Sequence, residues 1–178
     1  MDDTLWTTLA NPSASSVDRT TALARLVYKQ PDVDADRIVS TIQKWLASED
    51  SLLHEQAIVT LLSALCRDEY VPHALALLEN LTPEDEGGPL IELFCSAAHA
   101  LSSYSRQTGK ERRRILFDLA DAMLRHPNLD AKQSAYTGLM TIVKNVAVPL
   151  VPHPFEYPGS VDVQMVERIR RENAGDSP

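Results

Sequence analysis

Apolar residues recur at spacings of three and four along almost the whole chain, the signature of amphipathic helices. A short first helix is predicted over residues 3–10, ending at Asn11-Pro12. A second opens near Ser16 and stops at Pro31. A third follows Asp34 over 35–47, where Ile38, Ile42, Trp45 and Leu46 form one stripe. Ser51 opens SLLHEQAIVTLLSALC, whose apolar positions nearly encircle the axis. A helix apolar all round belongs at the centre of a fold. The next helix is YVPHALALLENL, 70–81, with Pro72 in its first turn, where a missing N–H costs nothing. TPEDEGGP, 82–89, reads as an acidic loop before LIELFCSAAHALSSY, 90–104.

Thr108 and Glu111 have the spacing of a capping box. They are expected to open ERRRILFDLADAMLR, with Leu116, Leu119, Ala120 and Met123 inward and the pairs Arg114–Asp118 and Asp121–Arg125 outward. Pro127 ends it. Asp130 is the expected cap of the following helix, which runs to about Asn145. Ser160 is expected to open VDVQMVERIRREN, and AGDSP frays. LVYK and VAVPLV are too short or too proline-rich to make strands.

Four segments align along this pattern: TALARL 21–26, QAIVTLL 56–62, SAAHAL 96–101 and SAYTGL 134–139. Each carries Ala with Leu four residues on: Ala22/Leu26, Ala57/Leu61, Ala97/Leu101 and Ala135/Leu139. The alanines are 35, 40 and 38 residues apart. Each segment lies on the first helix of a pair; the second helices are about 35–47, 70–81, 110–125 and 161–173. Ala lets a neighbouring helix approach, Leu fills the space one turn on, and a hairpin buries both faces only by stacking on another. Over residues 16–173 the chain resembles HEAT-like α-helical repeats in four irregular pairs. The resemblance implies an all-α stack of antiparallel helical hairpins, an α-solenoid. The usual proline of the first helix and the Asp-Arg pattern between repeats are not visible, and an irregular all-α bundle is the alternative.

Composition narrows the function. The chain has 178 residues, 44% hydrophobic and 24% charged, an ordinary globular balance read as one domain. Its net charge is −8, and the acid is concentrated: residues 1–92 hold 16 acids against 6 bases. A general nucleic-acid role needs clustered Lys and Arg and is disfavoured. The amino terminus lacks a signal peptide's basic start and apolar run, and no apolar run is long enough to span a membrane. A cytoplasmic protein is the default expectation. Cys66 and Cys95 form no CxxC pair and read as reduced, buried thiols.

No catalytic signature stands out. Cys95 and His99 are four residues apart with Glu92 nearby, but they lack a second ligand pair and an electropositive setting, and are expected to be packed core residues. Glu69 with His73, and Glu55 beside His54, lack a third orienting group. No enzyme activity, metal or cofactor is expected. The basic runs KERRR, 110–114, and RIRRE, 168–172, carry the alternative reading. The alkylpurine DNA glycosylases, similar in fold, bind DNA through a concave basic face. Arg112, Arg113, Arg168, Arg170 and Arg171 would then carry a nucleic-acid-binding or modifying role. An adaptor subunit of a larger complex is a third reading.

The main expectation is a protein-binding module. Asp32, Asp34, Asp36, Glu49, Asp50, Asp68, Glu69, Glu84, Asp85 and Glu86 fall mostly in inter-helix turns and are expected to line one acidic strip facing a basic partner. VAVPLVPHPFEYPG, 146–159, holds four of the eleven prolines and is long for a turn inside a hairpin. It is either a strap over the last repeat or a rigid contact edge. The expected partner-binding residues are Glu84, Asp85, Glu86, Val151, His153, Phe155 and Tyr157. In style, small acidic proteins of this kind resemble bacterial immunity proteins, which implies binding and blocking a basic toxin or effector.

Overall fold

A computed structural model describes residues 3–29, 33–80, 88–147, 149, 151 and 154–175. Among them the regular structure is entirely helical. The α-helices are α1 Asp3–Ala10, α2 Ser16–Lys29, α3 Ala35–Ile42, α4 Ser51–Val59, α5 Val71–Glu79, α6 Pro89–Thr108, α7 Arg112–Arg125, α8 Leu129–Val143 and α9 Val163–Asn173.

Local chemistry sets the helix starts. Asp34 accepts from the Arg37 amide at 2.9 Å, the expected cap of α3. Asp50 caps α4 through the Leu53 amide. Three expected starts move. The cap of α8 is Asn128, not Asp130; its side-chain oxygen accepts from the amides of Asp130 and Ala131 at 2.8 and 3.1 Å. The cap of α9 is Asp162, not Ser160, accepting from Met165. Thr108 and Glu111 form no capping box, because α6 runs on through Thr108. Gly109, at φ 71°, closes α6 in the left-handed conformation that favours glycine. The Thr108 hydroxyl is spent within this turn, donating to the Tyr104 carbonyl at 2.8 Å and accepting from the Lys110 amide.

Two helices change pitch near their ends. α3 tightens into a 3-10 turn at Gln43–Ala47, which brings Trp45 inward. α4 widens into a π turn at Thr60–Ala64, and Cys66 then turns left-handed at φ 50°. The wider turn keeps Leu61 and Leu62 buried where the helix must end.

The helices contact one another in two successions. α2, α4, α6 and α8 touch in that order; α5, α7 and α9 form a second row. Members of the second row lean on the next first helix: α5 rests on α6, and α7 on α8. All eight residues of the Ala/Leu pairs are buried. α4 stands between two hydrophobic clusters, as its encircling apolar pattern implies. Leu53, Ala57 and Leu61 face a cluster with Trp6, Leu26 and Trp45. Ile58 and Leu62 face the larger one, around Phe94, Leu101 and Tyr104.

Gly138 lets α8 approach α6 and α7 closely. A Cβ on Gly138 would come within 3.2 Å of a Leu119 methyl and 3.4 Å of the Ala98 carbonyl. A larger side chain there runs into the Leu119 side chain and the Ala98 backbone. Gly138→Leu is expected to destabilise the fold by about 2 kcal/mol in chemical denaturation, the usual cost of overpacking; an unchanged midpoint would contradict this contact.

Candidate protein-binding edge

Three contacts join the first-row helices, the starts of α2 and α4 to each other and the beginnings of α4 and α8 to α6 beyond its first turn. The Ser16 hydroxyl at the start of α2 donates to the Asp50 carboxylate that caps α4. The Ser96 hydroxyl of α6 donates to the Glu55 carboxylate of α4 at 3.2 Å. The Cys95 thiol of α6 lies 3.9 Å from the Asp130 carbonyl in the first turn of α8. Asp50, Glu55, Glu92 and Asp130 are brought to one side of these helices. Among the described residues none of these four carboxylates has an ion-pair partner. The N-terminal ends of four helices offset part of their mutual repulsion. Burial chiefly, and the Glu92 charge secondarily, push the Glu55 carboxyl upward against the lowering effect of Ser96. The Ser16 hydroxyl holds Asp50 below its ordinary range.

The other ends of these helices differ. Asp36 pairs with Arg67, and Asp68 with Lys110. The Tyr104 hydroxyl also donates to Asp68 at 2.8 Å. Burial first, and that carboxylate next, push the Tyr104 phenol up to about 12. The single acidic strip expected from the turns is thus two edges, one matched by bases and one left open. Sequence reading grouped Asp34, Asp36 and Asp68 with Asp50 because pairing partners some 30 to 40 residues away are invisible to it.

Glu84, Asp85, Glu86 and His153 lie outside the described residues. Val151 is half-buried against the larger cluster. Phe155 is buried, with its ring centre 6.1 Å from that of Tyr136 on α8. Tyr157 is exposed, and the Lys132 ammonium sits 4.1 Å from its ring centre. That ammonium also donates to the Met123 and Leu124 carbonyls at 2.9 and 3.1 Å, closing the end of α7. The segment is therefore a strap at Phe155 and a surface at Tyr157.

The other sequence candidates separate. Cys95 is half-buried, and burial chiefly raises its thiol, so it is a poor nucleophile. His99 is exposed rather than packed in the core. Arg112 and Arg113 donate to the Ile142 and Ala174 carbonyls at the ends of α8 and α9, both at 3.1 Å. Arg170 donates to Asp121 at 2.6 Å, leaving Arg168 and Arg171 exposed. The two expected helical pairs form, Arg114–Asp118 at 3.8 Å and Arg125–Asp121 at 3.1 Å.

A feature the sequence did not signal joins α4 to α5: the Nε2 atoms of His54 and His73 are 3.0 Å apart. Sequence reading had paired each with its own acidic neighbour. No local pattern joins residues 19 positions apart on two helices. Among the described residues no group of three or more His, Cys, Asp or Glu side chains is placed to hold a metal.

Comparison with family models, curated proteins and solved structures finds no match in any of the three. No helix is long and apolar enough to cross a membrane among the described residues.

Two expectations follow. Phe155→Ala should cost about 3 kcal/mol in chemical denaturation, as for other buried aromatics. Tyr157→Ala should cost under about 1 kcal/mol, the scale of an exposed cation–π contact. Equal losses would refute the division of the segment.

Asp118 lines a recess of 320 Å³ with Glu79, Asp121 and Arg125. Burial first pushes its carboxyl up to about 6, against the lowering pull of Arg114. The folded protein holds this proton where the unfolded chain has released it. The resulting stability is present below the unfolded value of 3.8 and is lost as pH rises through about 6. Asp118→Asn should therefore gain about 1–2 kcal/mol more at about pH 8 than at about pH 4, discounted for residual exposure. Denaturation midpoints at both values check this; a pH-independent difference would contradict it.

Proposed function

We propose that this chain is a non-enzymatic protein-binding module, a HEAT-like stack of helical hairpins that docks a basic protein on its open acidic edge. The reading is that of a cytoplasmic, immunity-type inhibitor that binds and blocks a cognate toxin or effector. The observation that carries it is the set Asp50, Glu55, Glu92 and Asp130, none of them in an ion pair among the described residues although Arg19 lies near enough to Asp50 to act on it, while the opposite edge carries Arg67 and Lys110 against its acids. A protein selected for stability alone has no need to leave several carboxylates together on one edge, since like charges repel. A basic partner removes that repulsion on docking and is drawn in over roughly a Debye length, about 8–10 Å in physiological salt. Glu84, Asp85 and Glu86 would extend the same edge, and Tyr157 would serve as a separate apolar contact. Three of the five arginines behind the nucleic-acid reading are already engaged within the fold.

The test is association kinetics with the basic protein recovered in stoichiometric complex with this chain. Charge reversal of Glu84, Asp85 and Glu86, or of Glu55, Glu92 and Asp130, is expected to slow association about tenfold or more at low salt and to flatten its salt dependence. Association rates that ignore both salt and these substitutions would refute the reading. A retarded labelled duplex without any protein partner would favour the arginine surface instead.

A further inference from the structure

α7 and α9 pack together, and one arginine from each converges on a single atom between them. The Nε atoms of Arg125 and Arg170 lie 3.1 and 2.6 Å from the same oxygen, Oδ1 of Asp121. Both arginines line a recess of about 420 Å³, together with Arg171, Glu167, Tyr157, Leu124 and Val163. Asp121 is not part of this wall and lines the neighbouring recess with Asp118 instead. The carboxylate therefore holds the two guanidiniums from behind. We propose that this recess is a binding site for a small organic phosphate, its phosphate head on Arg125 and Arg170 and its apolar body against Tyr157.

Donor supply favours a phosphate head. A carboxylate that meets a guanidinium at Nε engages only the N–H bonds on that side of the fork, and the outer donors stay open. Among the described residues no second acceptor meets either guanidinium. Two forks held side by side offer more donors than one further carboxylate can use, whereas a phosphate monoester presents three strong acceptor oxygens. Charge agrees. Arg125, Arg170 and Arg171 outnumber Glu167 and the Asp121 carboxylate behind them, and the Lys132 ammonium beside Tyr157 adds to the excess. Because Asp121 fixes the guanidiniums beforehand, less ordering is left for the ligand to impose.

The rest of the wall calls for an apolar body. Leu124, Val163 and the exposed ring of Tyr157 complete the recess, whose size falls within the range of small-ligand pockets, about 300–1,000 Å³. A bare anion would leave these groups uncovered. The recess shares no residue with the open acidic edge and does not depend on it. Nor is it the extended basic surface that a nucleic-acid duplex requires, since its donors converge on one head group.

Calorimetric titration of the full chain with phenyl phosphate, at low salt near neutral pH, tests the site. One site per chain is expected, weakened by about tenfold or more in Arg125→Gln and in Arg170→Gln and unchanged in Arg112→Gln and Arg113→Gln, all folded by circular dichroism. Inorganic phosphate is expected to bind about tenfold more weakly, and Tyr157→Ala to remove that preference. No binding at millimolar phenyl phosphate, the same weakening in all four arginine variants, or equal affinity for the two probes would overturn the proposal. If Arg125→Gln or Arg170→Gln fails to fold, nitrogen-15 spectra of the arginine Nε–H groups in the unsubstituted chain decide. Saturable shifts at Arg125 and Arg170, without shifts at Arg112 and Arg113, are expected. Shifts spread over all four, or absent from the first two, would overturn it.

Discussion

Close approach of the first-row helices is the constraint on which the rest depends. It is made by small residues. Ala22, Ala57, Ala97 and Ala135 are all buried, each with a buried Leu one turn on. Where α8 meets α6 and α7, even alanine is tight, and Gly138 takes the place. Packing sets the beginnings of α2 and α4 together, and those of α4 and α8 against α6 beyond its first turn. The acidic edge follows from this packing, since Asp18, Asp50 and Asp130 lie at helix starts, which favour acids. Packing then sets Asp50 beside Ser16, and Glu55 beside Ser96 and Glu92. No convergent catalytic geometry is needed to produce a charged surface of this kind, and the half-buried Cys95 with its raised thiol supplies none.

The two edges show how one set of turns separates into scaffold and surface. Where the first helices end, Arg67 and Lys110 join Asp36 and Asp68 across adjacent turns. Arg112 and Arg113 reach carbonyls at the ends of α8 and α9. These contacts tie elements far apart in the chain to one another. The starts of the first helices carry hydroxyl-carboxylate bonds instead, and these leave the negative charge in place. In the same way Phe155 closes the larger cluster against Tyr136, while Tyr157, two residues on, faces outward over Lys132.

What was legible in the sequence was local. Helical periodicity placed all nine helices among the described residues to within a few residues, and the encircling pattern made α4 central, where it lies between two clusters that the sequence did not distinguish. Asp34 and the pairs Arg114–Asp118 and Asp121–Arg125 needed only spacing within one helix. Errors arose where two local signals competed. Gly109 overrode the capping box at Thr108 by ending α6 in the left-handed conformation, and Asn128 preceded Asp130 as the better-placed cap. Contacts between elements were not legible. Arg113 finds its carbonyl 61 residues away, and His54 finds His73 on another helix. The same limit made one strip of the acids, because sequence shows where charges lie but not which are already paired.

Hydrogen exchange on the chain, free and bound to a basic protein recovered with it, tests the proposed docking edge most directly. Docking on the open edge should slow exchange of amides in the first turns of α4, α6 and α8, and leave the exposed faces of α7 and α9 unchanged. Protection confined to α7 and α9, with those first turns unaffected, would contradict the account.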